Sequence, residues 1–531
     1  MKPAQAMVVG DLPFPIVAIL LVLVVGLWYT VLNRRRLPLP PGPMRLPVLG
    51  NIFNMPSAIP SGEKYYELTK KYGDVVYISV PGNRLVILGS YDAASELLDK
   101  RSSNYSDRPQ PVMTDLLGAG WALIFNRYGD LWRRRRRDFH HFFGSQSIAQ
   151  YQHVQEDAAR LLLRLLTHNP EAFWDHTRFV FGSTILRIVY GIKPANPRDE
   201  YVSLAEASVK ILDKAYTPGK YLVEVFPFLK YVPQWMPGAQ FKRDVAAWKV
   251  TIADTRNKLF DAALQFMRRG NSQPCIVSTM VEQSHAKGEW SPDSDEHARD
   301  VSGIAYLGGV DTLVASFQTF LLAMAMYPAV QRKAQAELDA VVGEDRLPRL
   351  SDRDSLPYIN ALYNEVLRWK VVGQLAFPHQ SLEDDEYNGY LIPKGTVLLA
   401  NVWAISRDPK QYPDPDRFMP ERFLKDGKLN PDVRNPRAFA FGFGRRSCAG
   451  KHFAEPSLFI AMASVLHALV VDPPLDERGS PRVLTYADIK MVQSFVAHPE
   501  PLQYRFRPRT RAMQALVLAD IANEAEAGSG L

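Results

Sequence analysis

Phe441-Gly442-Phe443-Gly444-Arg445-Arg446-Ser447-Cys448-Ala449-Gly450 is the stretch that decides how this chain folds and what it can do. One cysteine follows a glycine-bearing loop, an arginine stands two residues before it, and an apolar, helix-like run begins just after it. The chain has only two cysteines in 531 residues, too few for a disulfide framework or a cysteine-rich zinc cluster. A lone thiolate at a helix N-terminus is stabilised by the unpaired amides and the dipole there, which suits it to hold a metal. Thiolate ligation of a haem iron uses one cysteine and no second. Without its flanks, the residue reads first as a buried structural cysteine, the commoner fate of a free thiol.

The bulk numbers describe a folded protein of one large or two smaller domains, with 47% hydrophobic and 22% charged residues. The net charge of +7 comes largely from local clusters, Arg34-Arg35-Arg36 and the arginine run 133–137. Neither cluster is interleaved with aromatic or glycine-rich nucleic-acid motifs, so nucleic acid is not an expected partner. A basic face suits an anionic membrane or an acidic protein.

Residues 12–33 carry no formal charge and are long enough to span a bilayer. The basic residues follow this run rather than precede it, and no small-residue cleavage site closes it, which favours a retained anchor over a signal peptide. Arg34 to Arg36 then lie on the cytoplasmic side, with 1–11 across the membrane. A Pro-rich linker, Leu37-Pro38-Leu39-Pro40-Pro41-Gly42-Pro43, follows within 34–60. Tyr65 to Lys71 reads as a helix, and 75–80 and 84–88 as two strands joined at Pro81-Gly82-Asn83. From about 130 to 345 the apolar spacing is helical. Residues 516–531 read as a flexible tail.

The run 301–327 has one charged residue, Asp311, and reads equally as a buried helix or a second membrane span. It holds Gly308-Gly309 and then Asp311-Thr312, a pair of glycines suited to a kink or a close approach beside an acid and a hydroxyl. Glu365-Val366-Leu367-Arg368 puts a carboxylate and a guanidinium on one helical face, a pattern that is usually a surface ion pair. Trp132 and Arg136 also share a face, at i, i+4. Pro456 inside the helix after Cys448 predicts a kink, with no functional account; Cys275 has no assigned role.

Phe441, Gly444, Arg446, Cys448 and Gly450 match every fixed position of Phe-x-x-Gly-x-Arg-x-Cys-x-Gly, which resembles the haem-binding signature of the cytochrome P-450 superfamily. Gly308 to Thr312 is similar to that family's oxygen-activation motif, with Leu313 where a second hydroxyl residue is frequent. Glu365, Arg368 and Arg422 (in Pro420-Glu421-Arg422-Phe423) correspond to its buried bracing network, and Trp132-Arg133-Arg134-Arg135-Arg136 to its Trp-x-x-x-Arg motif.

The resemblance implies a mainly α, triangular helical fold with a small β-rich lobe, spanning 61–515 after one N-terminal transmembrane helix. It implies haem b ligated by Cys448. Trp132, Arg136, His379, Phe441 and Arg446 would bind the cofactor, and Asp311 and Thr312 would handle protons. The implied activity is monooxygenation of a lipophilic small molecule with dioxygen and NADPH-derived electrons, resembling fungal microsomal members of secondary metabolism (terpenoid or polyketide). The implied partners are NADPH-cytochrome P-450 reductase, with cytochrome b5 as a second donor, and the implied location is the endoplasmic reticulum membrane, single-pass, with a cytosolic catalytic domain. Arg133 to Arg135 and Arg137 are expected on a solvated, partner-facing surface. Pocket segments are expected at 112–124, 210–228, 304–309, 372–377 and 491–495. The alternatives are a haem-thiolate isomerase or dehydratase that uses no dioxygen, against which Asp311-Thr312 argues, and a non-enzymatic membrane haem-binding protein.

Overall fold

Ser291 begins the longest helix by accepting the Ser294 amide while Ser294 answers the Ser291 amide, and Pro292 supplies a pre-set φ at the first helical position. In the computed structural model this helix runs Pro292–Met326, well upstream of the apolar run that announced it. The model describes residues 37–47, 49–55, 62–217, 220–270, 273–288, 291–492 and 496–528. The expected anchor at 12–33, Arg34 to Arg36, and 493–495 of the last expected pocket segment lie outside them.

The elements that position the site are, in chain order, α1 (Gly62–Tyr72), β1 (Val75–Val80), β2 (Asn83–Leu88), α2 (Val112–Leu117), α3 (Asp130–Phe143), α4 (Gln152–His168) and α5 (Phe173–Tyr190). Then come α6 (Glu200–Ala215), α7 (Gln240–Arg268), α8 (Ile276–Ala286), α9 (Pro292–Met326), α10 (Pro328–Val341) and α11 (Pro357–Trp369). Strands β3 (His379–Gln380) and β4 (Val397–Ala400) precede α12 (Lys451–Ala468), and β5 (Leu469–Asp472), β6 (Met491–Val492), β7 (His498–Pro499), β8 (Arg505–Pro508) and α13 (Arg511–Gly528) follow.

The main core gathers α4, α5, α9, α11 and α12 around α9, in which Phe317, Phe320 and Leu321 are wholly buried. That burial settles the two readings of 301–327: its apolar surface meets protein on nearly all sides, so it is a core helix. The expected hairpin forms with Val75 opposite Leu88 and Val80 opposite Asn83, turning at Gly82 with φ +78°. It extends into a four-stranded sheet in the order β1-β2-β4-β3, in which β4 runs parallel to β2 and antiparallel to β3. This is the small β lobe, and it fixes the backbone of His379.

Two expectations are corrected. Residues 516–528 are helical as part of α13 rather than a tail, because Met513 and Val517, one helical turn apart, dock into the protein. Arg135, expected at the surface, is buried: it pairs with Asp300 at the start of α9 and donates to Asn126 Oδ1 at 2.8 Å. Arg133, Arg134 and Arg137 are exposed, as expected. Helix α12 continues through Pro456.

Candidate haem-thiolate site

The Cys448 loop is shaped by glycine. Gly442 and Gly444 have φ of +75° and +54°, and a Cβ on Gly444 would lie 2.0 Å from the Leu98 carbonyl oxygen, so no larger residue fits there. The Cys448 amide donates to Phe441 O at 2.7 Å, closing the loop just before α12, and this backbone contact is the part Phe441 plays here. The amides of Gly450 and Lys451, at the N-terminus of α12, point at the thiol. Burial pushes the thiol pKa up, opposed by these amides and by the charges of Arg136 and Lys451. The thiol lies deep in the protein yet keeps accessible surface. Cys275 differs. It is buried, and its Sγ caps α8 by accepting the Ser278 amide at 3.3 Å.

Helix α9 has a second accessible spot in an otherwise buried stretch, at Gly308 and Thr312, one turn apart. A Cβ on Gly308 would meet nothing within 4 Å, whereas one on Gly309 would sit 2.5 Å from Ile185 Cδ1 on α5. The two glycines therefore serve different ends, one leaving room and the other allowing helices to close on each other. Thr312 Oγ1 donates to Gly308 O at 3.1 Å, which leaves its oxygen free to accept. Asp311 is half-buried and, among the described residues, makes no hydrogen bond or ion pair. Burial raises its pKa; His498 and Arg178 oppose this, and Asp213 and Glu206 add to it. Its charged neighbours thus come from α5, α6 and β7.

Three arginines and a histidine cluster near Cys448. Arg446 is buried with its guanidinium 4.4 Å above the Trp132 ring, donating to Ser106 O (2.7 Å) and Asn126 O (2.8 Å). His379 is buried in β3, with Nδ1 2.7 Å from Tyr105 O. Arg108 is buried and donates to the carbonyls of Phe377 (2.8 Å) and Pro378 (2.5 Å), while its Nε has no partner. Arg136 is half-buried beside Cys448. Among the described residues none of the four makes a salt bridge, and nearby Asp107 already accepts the Tyr128 amide at 2.8 Å. Burial pulls Arg108 down to about 9 and Arg446 to about 10; Arg446 adds to the first and Arg136 to the second, while Asp107 opposes both. His379 is held well below its usual range, by burial first and by Arg108 next.

The family model described as Cytochrome P450 matches residues 40–506. The chain belongs to the cytochrome P450 family. It is 40% identical over 483 residues to the cytochrome P450 monooxygenase COX2 of Coprinopsis cinerea, covering 90% of each chain. It is 38% identical to the tryptamine 4-monooxygenase of Psilocybe cyanescens, covering 92% of this chain and 97% of that one. The cytochrome P450 monooxygenase claR of Ampulloclitocybe clavipes is 37% identical, with 91% and 89% covered. The chain is accordingly a P450 monooxygenase, and the family implies a haem.

The residues present fit that group. A haem b would bring an iron in need of a thiolate and two carboxylates in need of cations. Cys448 with its helix amides meets the first need, and the unpaired cations, including the orphaned Arg108 Nε, meet the second. Arg108 was missed by sequence reasoning. It lies in an irregular stretch with no helical or strand spacing, and only the fold brings it beside Arg446.

Glu365, Arg368 and Arg422 do meet, and all are buried. Arg368 grips Glu365 with both Nε (2.7 Å) and a terminal nitrogen (2.8 Å), Arg422 Nε reaches Glu365 Oε1 at 3.3 Å, and the Met419 amide adds a bond of 2.8 Å. Three of the five expected pocket segments, 112–124, 210–228 and 304–309, meet. Met113, Trp121, Ile211 and Val223 form one apolar cluster, with Ile304 and Leu307 of α9 packed against it.

Proposed function

We propose that this P450 binds haem b through Cys448 and oxidises a lipophilic small molecule, in a secondary-metabolite pathway of the terpenoid or polyketide kind. The observation that carries the reading is the cluster of basic side chains that form no salt bridge among the described residues, beside an accessible Cys448 at a helix N-terminus. When bound there, a thiolate-ligated haem supplies reductive activation of dioxygen and delivery of one oxygen atom to a C–H bond.

The chain's own residues account for the rest. Arg108, Arg136, Arg446 and His379 hold the propionates, with Trp132 fixing Arg446 from beneath. Glu365, Arg368 and Arg422 brace the frame. Gly308 leaves open room beside Thr312, whose Oγ1 would accept or pass a proton, and Asp311 would carry protons inward from the side of Arg178, Glu206 and His498. The apolar cluster around Trp121 and Leu307 selects a lipophilic guest.

A division into an anchor at 12–33, a linker at 34–60 and a catalytic domain at 61–515 follows, with the domain on the cytosolic face of the endoplasmic reticulum. Support comes from the exposed apolar side chains after α6, Leu222 (64%), Phe228 (66%) and Trp235 (78%), which suit contact with a bilayer. Exposed Arg133, Arg134, Arg137 and Arg445 suit an acidic, flavin-bearing reductase.

The carbon monoxide difference spectrum of the reduced protein, run beside Cys448→Ala, tests the ligand. An unchanged thiolate-type band in the variant would sink the assignment. Turnover that needs NADPH, reductase and dioxygen supports monooxygenation, whereas turnover of a peroxide without them would mark an isomerase. For the bilayer contact, a form lacking residues 1–36 should lose liposome binding when Phe226, Phe228 and Trp235 become Ser.

A further inference from the structure

Helix α2 starts badly. Its N-cap is Pro111, whose ring offers no acceptor, so the first amides of the helix have no local partner. The partner comes from over a hundred residues away. Glu224 closes the one-turn helix Leu222–Glu224, and its two carboxylate oxygens accept from Val112 N at 3.0 Å and Met113 N at 2.8 Å. A second tie lies alongside, between Thr114 Oγ1 and Tyr216 Oη at 2.9 Å, and the Tyr216 ring stacks on Phe125 at 4.7 Å.

What these ties join is a unit with its own apolar cluster, distinct from the main core. The cluster draws on 112–125, the end of α6 and the first half of α7, and it rests on Ile304 and Leu307 of α9. Leu307 immediately precedes Gly308, so the unit lies like a roof beside the accessible surface of Gly308 and Thr312. Its foot is fixed where the Trp121 ring lies against Gly303, at which a Cβ would fall 2.9 Å from a ring carbon. Roof and floor therefore meet through apolar packing, while the two halves of the roof are held together by a charged acceptor and a hydroxyl pair. Charge-assisted bonds of this kind are directional and are lost over a short displacement, unlike the packing beneath them.

We infer that Glu224 is a latch that ties α2 to the segment after α6 and so sets how often the space before Thr312 opens. Releasing the carboxylate frees both the start of α2 and the stretch Pro227–Tyr231, whose Phe228 and Tyr231 are exposed. The opening thus lies on the apolar side of the molecule, where a lipophilic substrate would arrive. The inference rests on the reading that this space takes the substrate. Glu224 is a gating residue and does not touch the reacting atoms.

Phenylimidazole tests it without turnover, since its nitrogen shifts the haem spectrum on reaching the iron and both rates can be followed by stopped flow in the full-length, haem-loaded protein. Glu224→Gln keeps the size but sets an amide NH2 against a backbone N–H. It should raise the association and dissociation rates together by about tenfold, equivalent to ~1.4 kcal/mol of latch, and leave Kd nearly unchanged. Tyr216→Phe should move both rates the same way by less. Unchanged rates, or a change confined to one of them, overturn the latch. If Glu224→Gln gives no carbon monoxide band, Tyr216→Phe decides alone. A missing band in the unaltered protein would sink the haem reading, whereas an intact band with unaltered rates sinks only the latch.

Discussion

Two sets of buried arginines stand in this molecule under opposite terms. Around Glu365, Arg368 and Arg422 share one carboxylate whose oxygens are filled, and their other nitrogens reach the carbonyls of Ser406, Pro413 and Pro415. Around Cys448, Arg108, Arg136 and Arg446 have carbonyls or nothing, and His379 adds a fourth basic group. Both sets are costly to bury. The first has met that cost inside the chain and is a frame. The second forms no salt bridge among the described residues, its neighbour Asp107 being bonded to the Tyr128 amide, and such a set suits an anion brought from outside. The comparison separates structural from ligand-binding cations with no reference to motif.

The largest effect should follow breaking the closed set. Glu365→Gln leaves two buried guanidiniums without a counter-charge, worth roughly 3–5 kcal/mol. Haem-loaded protein should not accumulate; normal yield and thermal stability would dissolve the distinction. In the open set, Arg108→Met should act with opposite signs in two states. The haem-free protein should melt higher, because a buried unpaired charge is gone, while haem loss to an acceptor protein should quicken by about tenfold, in keeping with one charge-assisted bond of ~1.5–3 kcal/mol. If both stabilities fall together, Arg108 belongs to the frame.

A third buried cation sharpens the contrast. Lys370 sits with Nζ 3.6 Å from the centre of the Tyr486 ring, and burial, with Arg407 adding to it, pulls its pKa down to about 7. Its folded pKa lies below its unfolded one, so the penalty of burying the charge is complete below about pH 7 and fades as pH rises toward the ordinary lysine range near 10. Lys370→Met should therefore raise the thermal midpoint most at about pH 6 and progressively less at higher pH. A gain that does not depend on pH would show that packing, rather than charge, is responsible. The smallest effect on stability is expected at Thr312→Val, which should keep the carbon monoxide band and the melting temperature while lowering the product formed per NADPH consumed.

Features that depend on near neighbours were legible. The hairpin at 75–88 was readable from alternation and Pro81-Gly82, and the facing of Glu365 and Arg368 from i, i+3 spacing. Cys448 was readable because its glycines and arginine sit within a few residues of it. Arg136 was singled out by its spacing from Trp132, but the burial of its neighbour Arg135 was not legible, since Asp300 lies on another helix. Arg108 and Glu224 carried no local signal, because their partners are hundreds of positions away or nearly so. The character of 301–327 was undecidable, as an all-round apolar helix looks the same to lipid and to core.

The sequence by itself determined the Cys448 motif, the family resemblance and the helix-rich class, because each is encoded in spacing along the chain. Tertiary structure alone decided which cations are paired and which are left open, that α9 is a core helix, and that Glu224 closes the roof. Those outcomes rest on burial and on contacts between distant segments, and neither exists until the chain has folded.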